Sequence, residues 1–188
     1  GRAAGALTHL SRVRQMPGPR NDGAAAGAIV ARELARTYPG GLRARWRWGG
    51  SGSGQQVFAL TEAAGELRDF GTLVSPDPDA LCRAELHLEG PRGLWTARFA
   101  SLIHDEPRAL HWDTAGILVV AYGFTTYGIE VATGERRWDH RSASPIIALF
   151  GSSRLAHVLV QSEIETFAIE EDGTVAWRVA HSDVVTAA

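Results

Sequence analysis

Short apolar runs follow one another in a regular order over residues 108–188, and glycine, aspartate and serine separate them. Runs of this length, rich in β-branched and aromatic residues, are typical of β-strands. Four runs form the first cycle, at 108–114, 116–123, 126–134 and 135–141. The same order of four runs recurs at 144–151, 155–162, 165–173 and 174–181. The pattern predicts two four-stranded units and a third unit that begins within 183–188.

Two glycines and two tryptophans hold corresponding positions in these units. Gly134 and Gly173 fall in the turn before the fourth strand, where a tight hairpin requires a positive φ. Trp138 and Trp177 follow on the fourth strand, where a large flat side chain can pack against a neighbouring sheet. A four-stranded unit of about 40 residues cannot bury its own faces, so the repeat predicts stacked propeller-like blades with these four residues as structural anchors.

Alternating polarity also predicts strands upstream of the repeat. Residues 42–48, LRARWRW, place apolar residues on one face and arginines on the other. Residues 83–99 predict a hairpin about a Pro-Arg-Gly turn, and residues 55–71 predict two short strands around a turn. We expect residues 42–104 to supply about five strands of irregular blades.

One segment has helical spacing instead. Residues 21–39 begin with Asn21 and Asp22, which can cap a helix, and end at Pro39 before two glycines. Ile29, Val30, Leu34 and Tyr38 form an apolar stripe along the segment. This spacing predicts a short N-terminal helix.

The run GGSGSG at 49–54 allows two interpretations. Its composition is that of a flexible linker, but both flanks predict strands, so a hairpin loop is equally consistent.

Taken together, the segments predict a mainly β protein with propeller-like four-stranded antiparallel blades and a short N-terminal helical segment. Its expected divisions are a basic arm at 1–48, a loop or linker at 49–54, irregular hairpins at 55–107 and the blades at 108–188.

The two turn-and-tryptophan segments resemble a known repeat. GIEVATGERRW (128–138) and AIEEDGTVAW (168–177) are similar to the segment that closes each blade of quinoprotein-like (PQQ-like) β-propellers, A-L-D-x-x-T-G-x-x-x-W. The resemblance covers about 108–188. The family's dehydrogenases use a vicinal disulfide over the quinone and a calcium held by Glu, Asn and Asp. This chain has one cysteine, Cys82, and one asparagine, Asn21, so the resemblance implies the cofactor-free branch.

Histidine–acid pairs are the candidates for catalysis or metal binding. They occur at 104–106, 111–113, 139–140 and 181–183. Neighbours along a strand point to opposite faces, so these pairs do not converge naturally. The chain also lacks G-x-S-x-G, G-x-G-x-x-G and Walker motifs. We expect no catalytic residue, no cofactor and no metal site.

The arginine-tryptophan strand is the candidate partner or nucleic-acid surface. Arg43, Arg45 and Arg47 alternate with Trp46 and Trp48, which combines phosphate-binding charge with stacking surface. The structural alternative places the tryptophans in the core and pairs the arginines with acidic residues of the same protein. The charge distribution favours this alternative, because residues 49–188 carry more acidic than basic residues and would repel a polyanion.

Composition and charge limit the remaining choices. The chain has 188 residues, of which 45% are hydrophobic and 21% charged, as in an ordinary globular domain. Residues 1–48 carry nine arginines and two acids, whereas 49–188 carry ten arginines and nineteen acids. No secretory signal pattern is visible, and a cytoplasmic location is favoured. The first residue is not Met, so removal of a signal stays an open alternative.

These observations predict a non-catalytic β-propeller-like binding or scaffold protein with a protein or peptide partner. The alternatives are a quinoprotein-related enzyme or small-ligand binder, and single-stranded nucleic-acid binding through 42–48. Two blades do not close a ring, so a homo-oligomer that completes the sheet is a further expectation.

Overall fold

The computed structural model describes residues 31–58, 65–71, 73, 75–151 and 156–186. Within them, thirteen strands form three sheets, and the mainly β prediction is confirmed. The first sheet contains β1 (Arg32–Tyr38), β2 (Leu42–Ser51), β3 (Glu66–Asp69), β4 (Cys82–Gly90) and β5 (Gly93–Ser101). Its strand order is β1-β2-β4-β5-β3, and β3 runs parallel to β5. One short helix, α1 (Gly54–Val57), follows β2.

The repeat at the C-terminal side forms two antiparallel four-stranded sheets, as predicted. The first blade contains β6 (Arg108–Trp112), β7 (Ile117–Tyr122), β8 (Thr125–Glu130) and β9 (Arg136–Arg141). The second blade contains β10 (Ile146–Phe150), β11 (His157–Ser162), β12 (Glu165–Glu170) and β13 (Val175–Ala180). Each blade is a meander in which sequential strands pair. Residues 183–186 form no strand, so the start of a third blade stays a prediction.

The first blade is the middle layer of the stack. All six residues of β7 are buried, because both of its faces are covered. Leu118, Val120 and Tyr122 join the core shared with the first sheet, whereas Ile117 and Val119 join the core shared with the second blade. Burying each large apolar side chain stabilises the fold by roughly 1.5–3 kcal/mol. A continuous apolar run is therefore what this strand requires.

The predicted N-terminal helix is wrong for the part that the structure describes. Residues 32–38 form strand β1, which pairs with β2, and residues 21–30 lie outside the described residues. Leu34 and Tyr38 are four residues apart, and that spacing places two side chains on one face in a strand as well as in a helix. Their partners Trp46 and Leu42 give the strand an apolar contact that an isolated helix would lack.

The GGSGSG segment is neither a linker nor a hairpin loop in its first half. Gly49 pairs with Arg83 and Ser51 pairs with Cys82, so β2 continues through it. Ser53 is fully buried and donates a hydrogen bond to the Gly50 carbonyl oxygen. The strand predicted directly after it is also wrong, because residues 54–57 form α1.

The predicted hairpin over 83–99 is confirmed. β4 and β5 pair from Cys82 with Ser101 to Gly90 with Gly93, leaving two residues in the turn. Glu85 and His87 of β4 are both buried on the side opposite the main core. Glu85 accepts a charge-assisted hydrogen bond from Arg98 Nε at 3.1 Å, which compensates for its burial.

Replacing Gly134 by alanine should destabilise the protein more than the same change at Gly116. Both glycines have positive φ, +72° and +66°. A Cβ at position 134 would lie 2.7 Å from the Trp95 ring, whereas nothing lies within 4 Å at position 116. We expect Gly134→Ala to cost about 2–4 kcal/mol and Gly116→Ala about 1 kcal/mol. Urea unfolding measures both, and equal losses would mean that the Trp95 contact contributes nothing.

Candidate functional site

Two tryptophans dock onto the turn of the next sheet in the stack. Trp138 lies on β9, and its indole Nε1 donates a hydrogen bond to the Glu171 carbonyl oxygen at 3.0 Å. Trp95, on β5, donates in the same way to the Val131 carbonyl oxygen at 2.9 Å. Both acceptors lie in the turn that precedes the fourth strand of a blade. The same contact therefore joins the first sheet to the first blade and the first blade to the second.

The turn glycines rest directly against these indoles. A Cβ at Gly134 would lie 2.7 Å from the Trp95 ring, and a Cβ at Gly173 would lie 2.6 Å from the Cβ of Trp138. Gly173 has a φ of +90°, in the region that favours glycine. The turn thus supplies a carbonyl acceptor and, two or three residues later, a backbone without a side chain.

Trp177 occupies the same position on the second blade, but no turn among the described residues docks on it. Its side chain is 41% exposed, whereas Trp138 is 8% and Trp95 2% exposed. Its indole makes no hydrogen bond with the described residues. The ring meets the edge of the His157 ring, with 6.4 Å between centroids. An exposed tryptophan in a series of buried ones marks this face of the blade as different.

Trp177 belongs to a row of side chains that crosses the whole second blade. In this row, residues from four strands lie directly opposite one another: Phe150, Leu159, Ala168 and Trp177. Phe150 is 50% exposed, and the neighbouring Val179 on β13 is 56% exposed. We call these five residues the terminal face.

The first blade has a matching row, and there it is covered. Its members lie 39 or 40 positions earlier and are Leu110, Val119, Gly128 and Trp138. This row packs against the second blade, with Val119 and Trp138 in the shared core. The terminal face is therefore the repeat of a surface that forms an interface elsewhere in the same chain.

The terminal face is bordered by more polar residues than its counterpart. His157 and Gln161 on β11 stand where the first blade has Ile117 and Ala121. Glu170, which pairs with His157, is exposed. An apolar centre with a polar border is typical of a surface that binds a partner and also meets water.

The arginine-tryptophan strand lies inside the first sheet. Trp46 and Trp48 are 1% and 4% exposed in the core, so neither offers a stacking surface to nucleic-acid bases. The prediction of such a surface is wrong in this respect, because β2 has strands on both sides and a blade against its apolar face. Arg43, Arg45 and Arg47 point to the opposite face, where Arg47 pairs with Glu33 at 3.1 Å.

Arg45 has a structural role on that face. Its Nη2 lies 2.8 Å from His87 Nδ1, which accepts the hydrogen bond when the imidazole is neutral. Burial lowers the pKa of His87, and the positive charge of Arg45 lowers it further. Arg45 and Arg43 also line a shallow pocket of about 360 Å³ with Glu89.

Residues of the histidine–acid pairs make contacts with other parts of the protein. Among the described residues, no three His, Cys, Asp or Glu side chains form a metal-binding group. Asp105 pairs with Arg108 at 2.9 Å, and His181 contacts the Thr166 hydroxyl at 2.8 Å. His140 packs on the Phe167 ring with 4.7 Å between centroids. Each of these contacts belongs to the packing or pairing of the strands.

A groove of about 470 Å³ opens between the turns of the first sheet and the first blade. It is lined by residues of both charges, including Arg92, His111, Asp113, Glu130 and Arg137. Arg137 pairs with Glu130 at 3.3 Å, so part of this charge is already neutralised.

No helix in the described residues is long and apolar enough to cross a membrane.

The strands and their faces define a class: a mainly β protein of propeller-like blades. No protein-family model matches the sequence, and no curated protein matches it. Among solved structures, the chain is similar to BamB from Moraxella catarrhalis, with a TM-score of 0.36 and 12% identity. The match covers 62% of this chain and 36% of that one, so the chain spans just over a third of BamB. At that level the similarity supports no argument about function.

Sequence reasoning singled out Trp138 and Trp177 but missed Trp95. Trp95 follows a glycine turn at Gly93, as the other two follow Gly134 and Gly173, and this was the available signal. The interval between turn and tryptophan is two residues here and four in the blades, so the repeat pattern does not match. Trp95 makes the first sheet part of the same docking series.

Stability should fall as the pH drops below about 6.5, because three histidines are held neutral. Burial lowers the pKa of His87, His111 and His140 below 6.5, and nearby arginines lower those of His87 and His140 further. As the pH falls, these histidines bind protons in the unfolded chain at a higher pH than in the folded protein. The stability that is present above pH 6.5 is therefore lost as the pH falls toward the pKa values of the folded state.

Urea unfolding from pH 8 to pH 5 measures this dependence. His87→Gln should reduce the slope, since one of the three contributions is removed. His104→Gln, at an exposed position, controls for the loss of a histidine. A slope that His87→Gln leaves unchanged would contradict a neutral, buried His87.

Proposed function

We propose that this chain is a non-catalytic binding or scaffold protein, and that it engages a protein or peptide partner on the terminal face. The single observation that carries the proposal is the exposure of Trp177. Equivalent tryptophans at the two earlier positions are 2% and 8% exposed, whereas Trp177 is 41% exposed. The chain thus presents one more copy of a contact that it uses twice to join sheets.

The chemistry of the terminal face supports this proposal. Trp177, Phe150 and Val179 are among the most exposed large apolar residues described. Exposed apolar patches bordered by polar residues mark interaction sites, and tryptophan is enriched among residues that dominate binding energy. Covering the indole would bury an area comparable to that which Trp138 buries against the second blade.

The other candidate functions have less support. Trp46 and Trp48 are buried, so the strand 42–48 lacks the stacking surface that single-stranded nucleic acid needs. Two acidic side chains beside histidines pair with arginines, Asp105 with Arg108 and Asp139 with Arg136. Within the part of the chain that the structure describes, no contact favours an enzyme or a quinone site over partner binding.

Affinity capture from the source lysate tests the proposal when variants are compared. We expect the unaltered chain to retain a stoichiometric protein that survives nuclease treatment. Trp177→Ser with Val179→Ser should lose it, and because both positions are exposed the fold should persist. Leu67→Ser, at a 42% exposed position on β3, is the matched control and should retain the partner.

Two results would contradict the proposal. One is that the Trp177 and Val179 variant captures the same proteins as the unaltered chain. The other is that everything captured disappears with nuclease, which would indicate nucleic acid. Circular dichroism of each variant separates a lost contact from a lost fold.

A further inference from the structure

We infer that the terminal face recognises a glycine β-turn of another polypeptide, flanked by a basic side chain, which docks on Trp177. The inference rests on the proposed function and names the chemistry of its partner. It is argued from the two docking contacts inside the chain, which show what such a tryptophan binds.

The occupied contacts define the ligand. Each indole Nε1 donates to a backbone carbonyl oxygen in a turn, at 2.9 Å for Trp95 and 3.0 Å for Trp138. Each turn then places a positive-φ glycine against the tryptophan, with no room for a Cβ. A partner for Trp177 therefore needs a carbonyl acceptor and a left-handed glycine two or three residues after it.

Trp177 is also presented differently from Trp138. The Trp138 ring lies over Gly128, where an added Cβ would be 2.2 Å from the ring. The second blade has Ala168 at this position, directly opposite Trp177. A methyl group therefore stands where Gly128 leaves room for the Trp138 ring, and Trp177 is 41% exposed.

An unbalanced carboxylate indicates the charge of the partner. In the first blade, Glu130 pairs with Arg137, the residue before Trp138, at 3.3 Å. In the second blade, Glu170 corresponds to Glu130, but Ala176 stands where the arginine would be. Glu170 is exposed and has no ion pair with the described residues. A basic side chain beside the partner's glycine turn would supply the missing cation.

A second copy of this chain is a poorer occupant. Stacking the copies as the blades stack would place the outer face of the first sheet against the terminal face. That outer face carries Arg43, Arg45 and Glu89, which would be set against the apolar row that contains Trp177 and Leu159. Charges buried against apolar side chains without partners are costly.

The test uses a defined probe and the full chain. The probe is a peptide of residues 125–141 with a cysteine added at each end and the two joined by a disulfide. It contains the Val131 carbonyl, Gly134 and the flanking Arg136 and Arg137. Cyclisation holds its strands in register, and its NMR spectrum establishes the hairpin before titration. The indole N–H resonance of Trp177, assigned by its loss in Trp177→Phe, is followed as the probe is added.

We expect the Trp177 indole resonance to shift on binding. Trp177→Phe keeps an aromatic ring without the donor and should weaken binding about fivefold. Changing Gly134→Ala in the probe should weaken it at least about tenfold, because the turn is strained and collides with the indole. Neutralising Arg136 and Arg137 of the probe should weaken binding to the unaltered chain but have little effect on binding to the Glu170→Gln chain. The chain variant Leu67→Ala should bind as the unaltered chain does.

Four results would overturn the inference. The folded probe could fail to bind, or it could bind the Trp177→Phe chain as tightly as the unaltered chain. The probe with Gly134→Ala could bind as tightly as the unaltered probe. Light scattering could also show that the chain forms a dimer that Trp177→Phe abolishes. If capture of a lysate partner depends on Trp177 but the probe does not compete, the glycine-turn inference fails and the proposed function stands. If capture does not depend on Trp177, the proposed function fails.

Discussion

The structure depends on one contact, in which an indole lies against a glycine turn and donates to its backbone. Trp95 and Trp138 each make it, and each links one sheet to the next. The contact fixes both partners, because the ring needs a backbone without a side chain and the donor needs a carbonyl in the same turn. Sheets that share only an apolar surface could slide, whereas this pairing sets their register.

The sequence predicts the blades well because their pattern has a single solution. β7 is apolar at every position, and a strand buried on both faces requires this. The glycine before each fourth strand and the tryptophan on it recur at 39 residues, so one hairpin predicts the next. The 83–99 hairpin is equally well marked, since its turn residues leave few alternatives.

The first sheet is harder to predict because its signals are ambiguous. Leu34 and Tyr38 are four residues apart, which fits both a helix and a strand, and the choice depends on Trp46 and Leu42 as partners. For the candidate site, sequence identifies Trp177 but not its exposure. Trp177 is exposed and Trp138 is buried because, within the described residues, only the first blade has its tryptophan-bearing face covered by another sheet. A repeat pattern does not show which face is covered. Trp95 was missed because its turn is shorter.

The middle position of the first blade has a consequence for how the protein unfolds. Each sheet contacts its neighbours in the stack, so the free energy of the fold divides into sheet and interface contributions, as in repeat proteins. The first blade has two interfaces, whereas the second blade has one within the described residues. Amide protons of β11 and β12 should then exchange through a partial opening that leaves β7 protected. A ligand bound to the second blade would make this partial opening less frequent, and it would slow amide exchange even at residues far from its own contacts.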